Sequence, residues 1–326
     1  MALRIANKLR FIARSFTTAN ELVFRNATAK EADLITRRAI QEGWHVGPYD
    51  FSSILAFDPK SYYLGEVDGE VAAHIGVIEY AKHHYHGGGV IVAEKFRKNR
   101  YGVECVLKGM EVCDPNYTIG TDINLDSKSK YESLGYKKYW DTYVAMLSLE
   151  KIAKRLATSS ATATSVMVKP IHNVNIDKLL EYDQTVFGTS RDILLRRWAK
   201  LPGNLSWVAI DERSNMILGY AIIKQVIRGG GTEIGLAMAP LYADNVQIAK
   251  LLLKTAAEHC LANEAVPKTK LELFHPVGDN CGEGAAELMD ELEAELTHIA
   301  YRMYSKGIPP GRQMKRIYGI AAPNCD

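Results

Sequence analysis

The segment that most constrains this chain runs through residues 85–113, YHGGGVIVAEKFRKNRYGVECVLKGMEVC. It opens on glycines and continues as an apolar strand, Val90, Ile91 and Val92. It then breaks into a basic turn at residues 97–102. Beyond the turn Val103, Val106, Leu107 and Met110 recur at helical spacing. Strand, basic turn and helix together make an anion site. The first helical turn carries backbone N–H groups without intrahelical partners, and the helix dipole adds partial positive charge. Phosphate binds at such a place. Arg97, Lys98 and Arg100 add formal charge, and Gly102 lets the backbone approach closely.

Spacing narrows the kind of phosphate site. No G-x-x-x-x-G-K-[ST] and no G-x-G-x-x-G occurs, so neither a Walker loop nor a dinucleotide fingerprint is present. The pattern V-x-x-x-x-R-x-x-x-x-G, from Val92 through Arg97 to Gly102, resembles motif A of the GNAT superfamily of acyl-CoA N-acyltransferases. That motif is written R/Q-x-x-G-x-G/A. Arg97 and Gly102 match, and Arg100 stands in place of the first glycine. A second segment, N-x-x-S-x-x-x-Y-x-x-L-G-Y over residues 124–136, resembles GNAT motif B. There Asn124, Tyr131 and Gly135 match together, in the right order after motif A.

At 326 residues the chain exceeds what one core usually supports, which predicts two domains. A net charge of +2 predicts no nucleic-acid partner. No run of apolar residues is long enough for a membrane span. Five cysteines without a C-x-x-C pair argue against a zinc site or disulfide scaffold and favour a reducing compartment.

Residues 1–20 carry Arg4, Lys8, Arg10 and Arg14 with no acid before Glu21. Ile5, Leu9, Ile12 and Phe16 form a stripe opposite the basic side chains. This resembles a transit peptide and predicts the mitochondrial matrix, with the cytoplasm as the alternative if the segment is an ordinary packed helix. A strand is expected over 21–26. A helix follows over 28–43, with Thr28 and Glu31 as a capping box. A hairpin is expected around Asp68-Gly69, then the two motifs, then a closing strand over 141–149. The expected domains are 21–152 and 167–326, joined by a small, polar linker over 153–166.

The second half repeats the first. Residues 207–210 and 218–226 echo the first hairpin, Gly229–Gly231 echo Gly87–Gly89, and residues 249–254 echo the motif A helix. Its turn at residues 239–247 has no basic residue and no glycine, and its motif B counterpart, residues 280–292, lacks the tyrosine. Residues 183–198, 234–244 and 302–321 resemble the second domain of tandem YitH-type acetyltransferases. The resemblance implies an α/β (α+β) chain of two tandem GNAT-like domains. Each would have a mixed, largely antiparallel central sheet flanked by helices, and only the first would bind acyl-CoA.

Acyl transfer from a thioester to an amine needs a proton acceptor for the amine, a donor for the developing oxyanion and a proton for the leaving thiolate. By the resemblance, the oxyanion donor is a backbone N–H of Ile91 or Val92, on a strand splayed from its neighbour. Val90 and the loop from Arg97 through Lys98, Asn99, Arg100, Tyr101 and Gly102 to Val103 would hold acetyl-CoA, and Asn124 would contact pantetheine. Tyr131 matches the tyrosine that protonates the thiolate; otherwise it is a core residue of an amphipathic helix. His86 precedes Val92 by an even count, so alternation predicts both on one face, where a base would stand. Glu79 and Asp122 are alternative bases, and Asp122 could instead anchor a substrate ammonium. No metal is expected, because alternation splits His83, His84 and His86 across two faces. The expected activity is N-acetyl transfer to a primary amine of a small molecule or peptide. A non-catalytic acyl-CoA-binding regulator is the alternative.

Overall fold

The computed structural model describes residues 21–81, 84–157, 165–267 and 270–321. The basic stripe of residues 1–20, His83 and much of the expected linker lie outside them.

The first half begins with β1 (Val23–Asn26), which pairs antiparallel with β2 (Tyr62–Val67). Between them run α1 (Ala32–Gln41) and α2 (Asp50–Phe57). The capping box forms at the 3-10 turn leading into α1, where Thr28 N donates to Glu31 Oε2 at 2.8 Å. Ile35 and Ala39 then fall on one buried stripe of α1. β2 turns back into β3 (Glu70–Ala81) through Asp68 and Gly69, both at positive φ (50° and 82°), as the D-G pair predicts. β3 pairs antiparallel with β4 (His84–Val92).

Within β4 the register slips. His74 faces Ile91, but Gly76 faces Gly88, so β4 carries one extra residue. Gly89 absorbs it at φ 65°, a left-handed conformation that glycine adopts without a Cβ penalty. After β4 come α3 (Tyr101–Val112), β5 (Thr118–Asn124) and the short α4 (Lys128–Ser133). β5 runs parallel to β4.

The two halves are stitched by exchanged strands. β6 (Lys137–Leu147), expected to close the first sheet, pairs with β11 (Leu271–Val277) of the second half. β12 (Glu295–Tyr304), the corresponding strand of the second half, pairs with β5 of the first. The two also pair with each other. One 13-stranded sheet results, in the order β1-β2-β3-β4-β5-β12-β6-β11-β10-β9-β8-β7. The remaining second-half strands on this path are β7 (Val166–Pro170), β8 (Leu205–Asp211), β9 (Ile217–Arg228) and β10 (Glu233–Ala243). Side chains of β6 enter both cores: Trp140 lies in a first core that the two halves share, with Ile35 and Tyr62 of one and Tyr220 and Tyr242 of the other, whereas Ala145 and Leu147 lie in a second core built mainly from the second half. The helix after β6, α5 (Leu149–Arg155), buries Leu149 and Ile152 in the second core, although the sequence assigns it to the end of the first domain.

In the second half α6 (Ile176–Phe187) and α7 (Asp192–Trp198) flank a buried Asp183–Arg191 pair at 2.9 Å, which Tyr220 and Tyr242 complete. The glycine echo is not structural: Gly229–Gly231 form the turn between β9 and β10, whereas Gly87–Gly89 lie inside β4. α8 (Val246–Ala262) and α9 (Ala285–Glu291) correspond to α3 and α4. Among the described residues no helix is long and apolar enough to cross a membrane.

Two outcomes follow from this packing. Because each half supplies a central strand to the other, calorimetry should record one cooperative transition, with van't Hoff and calorimetric enthalpies in agreement. Two resolved transitions would show that the halves unfold separately. His74, buried beside Tyr62 (ring centroids 6.4 Å), gives the second. Burial, and then the charge of Arg38, push its imidazole down to about 3. The unfolded chain takes up this proton near pH 6.5 and the folded chain does not. Stability should therefore fall as pH drops from about 6.5 towards 3, by ~2 kcal/mol at pH 5. Urea midpoints at pH 7 and pH 5 should differ less in His74→Gln than in the wild type.

Candidate active site

β4 and β5 stay paired for only three residue pairs, ending at His86↔Gly120. Beyond that rung the strands part, while β5 stays paired with β12 along its other edge, with Thr121 facing Met303 and Asp122 facing Arg302. The gap opens beneath α3. Ile75, Val77, Val90, Met110, Thr121 and Tyr131 are among the residues that line the cleft.

Backbone alternation selects the donors along the gap. Ala93 N donates to Ala72 O of β3 at 2.9 Å. Stepping back by twos sends the N–H of Ile91 into the same ladder and those of Val92 and Val90 away from it. This removes Ile91 from the two expected donors, and its side chain is buried in the first core. Val90 and Val92 pack instead on the α3 side.

The basic turn is left-handed at Lys98 (φ 73°) and Arg100 (φ 63°). Arg100, standing where the motif has glycine, holds the conformation glycine prefers, at a cost of about 1–2 kcal/mol. It is the N-cap of α3 and its side chain makes no capping bond; its carbonyl accepts from Val103 N at 2.8 Å and Glu104 N at 3.3 Å, so the first turn is only partly open to an anion. Lys98 and Asn99 are exposed, and Gly102 sits over Val92 and Val90. Tyr101 is buried against Phe96 and is a packing residue, so only its backbone N–H can serve an anion; Val103 lies at the surface. Arg97 does not stand ready for a phosphate. Its Nε donates to Val92 O at 3.1 Å and its guanidinium pairs with Glu42, just past α1. Asn124 ends β5 at the mouth of the gap and leads into the turn before α4.

Tyr131 lines the cleft on the α3 side. Its ring meets Tyr136 edge-on at 5.4 Å, and burial raises its pKa while a hydrogen bond with Thr121 opposes the rise. The phenol is therefore protonated, and since the raised pKa makes it the weaker acid, any help to a leaving thiolate rests on its place in the cleft.

His86 does not share a face with Val92. The extra residue at Gly89 breaks the alternation between them. His84 stacks on Tyr80 (5.4 Å) on the face of the first core, and His86, two residues on, faces the same way. His86 and Tyr131 therefore lie on opposite faces of the sheet, with the gap between them. Glu79 is exposed, and its backbone N is held by Asp58 Oδ2 at 3.1 Å. Asp122 is not available as a base or an ammonium anchor: buried Arg302 binds its Oδ2 through Nε at 2.9 Å and Nη2 at 2.5 Å. Arg302 comes from the exchanged strand, and no local sequence signal announces it. Among the described residues no His, Cys, Asp and Glu cluster could hold a metal.

The second half has the same divergence, but it is filled. β10 and β11 pair at Leu236↔Leu271, Ala237↔Glu272 and Met238↔Leu273. Where they part, β13 (Ile317–Gly319) pairs with β10, and the next residue, Ile320, donates its N–H to Phe274 O of β11 at 2.9 Å. The start of α8 is also satisfied, since Asn245 Oδ1 accepts from Gln247 N and Ile248 N at 3.0 and 3.1 Å. Among the described residues of the second half, this divergence is closed by β13 and its neighbour, and the first turn of α8 is capped by Asn245. Titration calorimetry with coenzyme A should accordingly return one site per chain, and two equivalent sites would contradict the filled gap. Arg97→Glu with Arg100→Glu should weaken that single site by a few kcal/mol.

Comparison with known proteins agrees with this architecture. Residues 30–136 match a family model described as Acetyltransferase (GNAT) family, and residues 179–319 one described as Acetyltransferase (GNAT) domain. The holothin acyltransferase of Pseudoalteromonas sp. (strain SANK 73390) is 22% identical over 298 residues, 91% of this chain and 92% of the relative. A putative acetyltransferase from Pyrococcus horikoshii superposes with a TM-score of 0.68 at 16% identity, covering 95% of this chain and 97% of its own. A tandem GNAT protein from the clavulanic acid biosynthesis pathway gives 0.59 at 15% identity, covering 87% and 98%. With both halves matched and the fold shared end to end, the chain belongs to the GNAT superfamily of acyl-CoA acyltransferases and carries two of its domains in tandem.

Proposed function

We propose that the chain moves an acetyl group from acetyl-CoA to a primary amine of a small molecule or peptide, at the gap between β4 and β5. One observation carries the reading: a protonated phenol, Tyr131, lines one side of that gap while His86 stands on the other face of the same sheet. The amine would enter from the His86 face, with His86 taking its proton. The N–H groups of Val90 and Val92 would stabilise the oxyanion between the strands. The thiolate would leave towards Tyr131 and take the phenolic proton. Nucleophile and leaving group are then served from opposite sides, and neither proton has to cross the gap. The turn at residues 97–102 and the first turn of α3 would hold the pyrophosphate, with Arg97 exchanging Glu42 for it. The holothin acyltransferase relative, which spans nearly the whole chain, supports transfer over binding alone.

Thiol release across a panel of amines, amino acids, polyamines and peptides tests the proposal. Tyr131→Phe should lower kcat ~100-fold while leaving coenzyme A affinity nearly unchanged, because the ring keeps its packing and only the proton is lost. His86→Gln should remove the acidic limb of the pH–rate profile. Wild-type turnover in both variants, with no amine acylated, would favour the non-catalytic acyl-CoA-binding reading.

A further inference from the structure

Burial makes Tyr131 a weak acid, so any group that eases its proton away must stand in the same cleft. Thr121 is placed for that. The last rung that β4 and β5 share is His86↔Gly120, and Thr121 is the next residue, at the fork where the gap begins. Alternation along β5 puts Ile119, Thr121 and Ile123 on one face. Ile119, Ile123 and Tyr131 share one apolar cluster, and Thr121 and Tyr131 both line the cleft. The exchanged strand backs this position. The cross-strand partner of Thr121 is Met303 of β12, fully buried in that same cluster. Thr121 is itself buried, and it is hydrogen-bonded to Tyr131.

The direction of that bond follows from its effect. It opposes the rise that burial imposes on the phenol, so it favours the phenolate. A phenolate has no hydrogen to give, so the Thr121 hydroxyl is the donor. The other titratable side chains lining this cleft are Cys113 and Tyr136. The Cys113 thiol, pushed up to about 12 by burial, is committed to Gly109 O at 3.1 Å, and the Tyr136 ring packs edge-on against Tyr131.

We propose that Thr121 is a positioning residue for Tyr131: its hydroxyl donates to the phenolic oxygen, which frees the phenol's own proton for the leaving sulfur and then holds the phenolate. The inference rests on the reading of Tyr131 as the acid of the proposed transfer. When the C–S bond breaks, the sulfur takes the phenolic proton and coenzyme A leaves as the thiol. The electron pair of the broken O–H bond stays on Tyr131, in a cleft walled mostly by apolar side chains and glycines. Thr121 already aims a hydrogen at that oxygen, so no group has to reorient as the charge appears. Solvent then returns a proton to Tyr131, matching the one that His86 releases.

The test is a double-mutant cycle in the full-length protein, read as thiol release from acetyl-CoA at saturating amine. Thr121→Val keeps the volume and removes the hydroxyl. It should lower kcat ~tenfold, the worth of one hydrogen bond to a charged oxygen. Thr121→Ser keeps the donor and should recover most of that loss. In the Tyr131→Phe background Thr121→Val should cost nothing further, because the group it serves is gone. A packing role predicts the reverse: valine tolerated, serine costly, and the double variant slower than Tyr131→Phe. Placing 3-fluorotyrosine, a more acidic phenol, at position 131 should restore turnover to Thr121→Val. If Tyr131→Phe is slow while Thr121→Val keeps the wild-type kcat, or costs as much without the phenol as with it, the inference falls and Tyr131 stands as the acid. If Tyr131→Phe turns over like the wild type, or no amine is acylated, the inference falls with the reading it rests on. Should Thr121→Val not fold, Thr121→Ala carries the same comparison.

Discussion

Everything in this molecule turns on a parallel strand pair that does not hold. β4 and β5 share three residue pairs and then separate, and β10 and β11 do the same in the second half. Separation leaves backbone donors and acceptors inside a sheet without ladder partners, a condition that folded chains do not leave uncorrected. Each half satisfies it differently. The second uses its own chain, laying β13 into the gap. The first keeps an apolar cleft beside a basic, uncapped helix start. One half is closed by its own chain, and the other keeps the opening.

The strand exchange is the second constraint. With β12 between β5 and β6, and β6 between β12 and β11, neither half has a full sheet without the other. The Asp122–Arg302 pair sits at this seam. Two buried charges are a poor source of stability when compared with apolar packing, but removing either one strands the other at a cost of ~3–5 kcal/mol. The pair therefore fixes which strand lies beside β5 more than how tightly it is held.

What could be read from the sequence was what is local. The D-G hairpin, the capping box and the strand–turn–helix order of the segments around residues 97–102 and 124–135 each depend on neighbours a few positions away, and the structure has each of them. The face of His86 could not be read, because one residue of bulge at Gly89 reverses the alternation and three glycines in a row do not say which of them bulges. Ile91 was lost as a donor for a related reason: its N–H direction follows from a bond between Ala93 and Ala72, on another strand. Asp122 looked available because Arg302 is far away in sequence and arrives only through the exchange. The glycine triplets misled because composition repeats more readily than geometry; one triplet makes a turn and the other a bulge.

The strand that fills the second gap lies close to the carboxyl end of the described chain. β13 is hydrogen-bonded to β10, with its neighbour Ile320 bonded to β11, and Ile317, Tyr318 and Ile320 are buried in the cores. The strand is no peripheral element: withdrawing it would break bonds to β10 and β11 together and strip buried side chains from both sides of the sheet, so the divergence it fills cannot reopen without the cores beside it opening too.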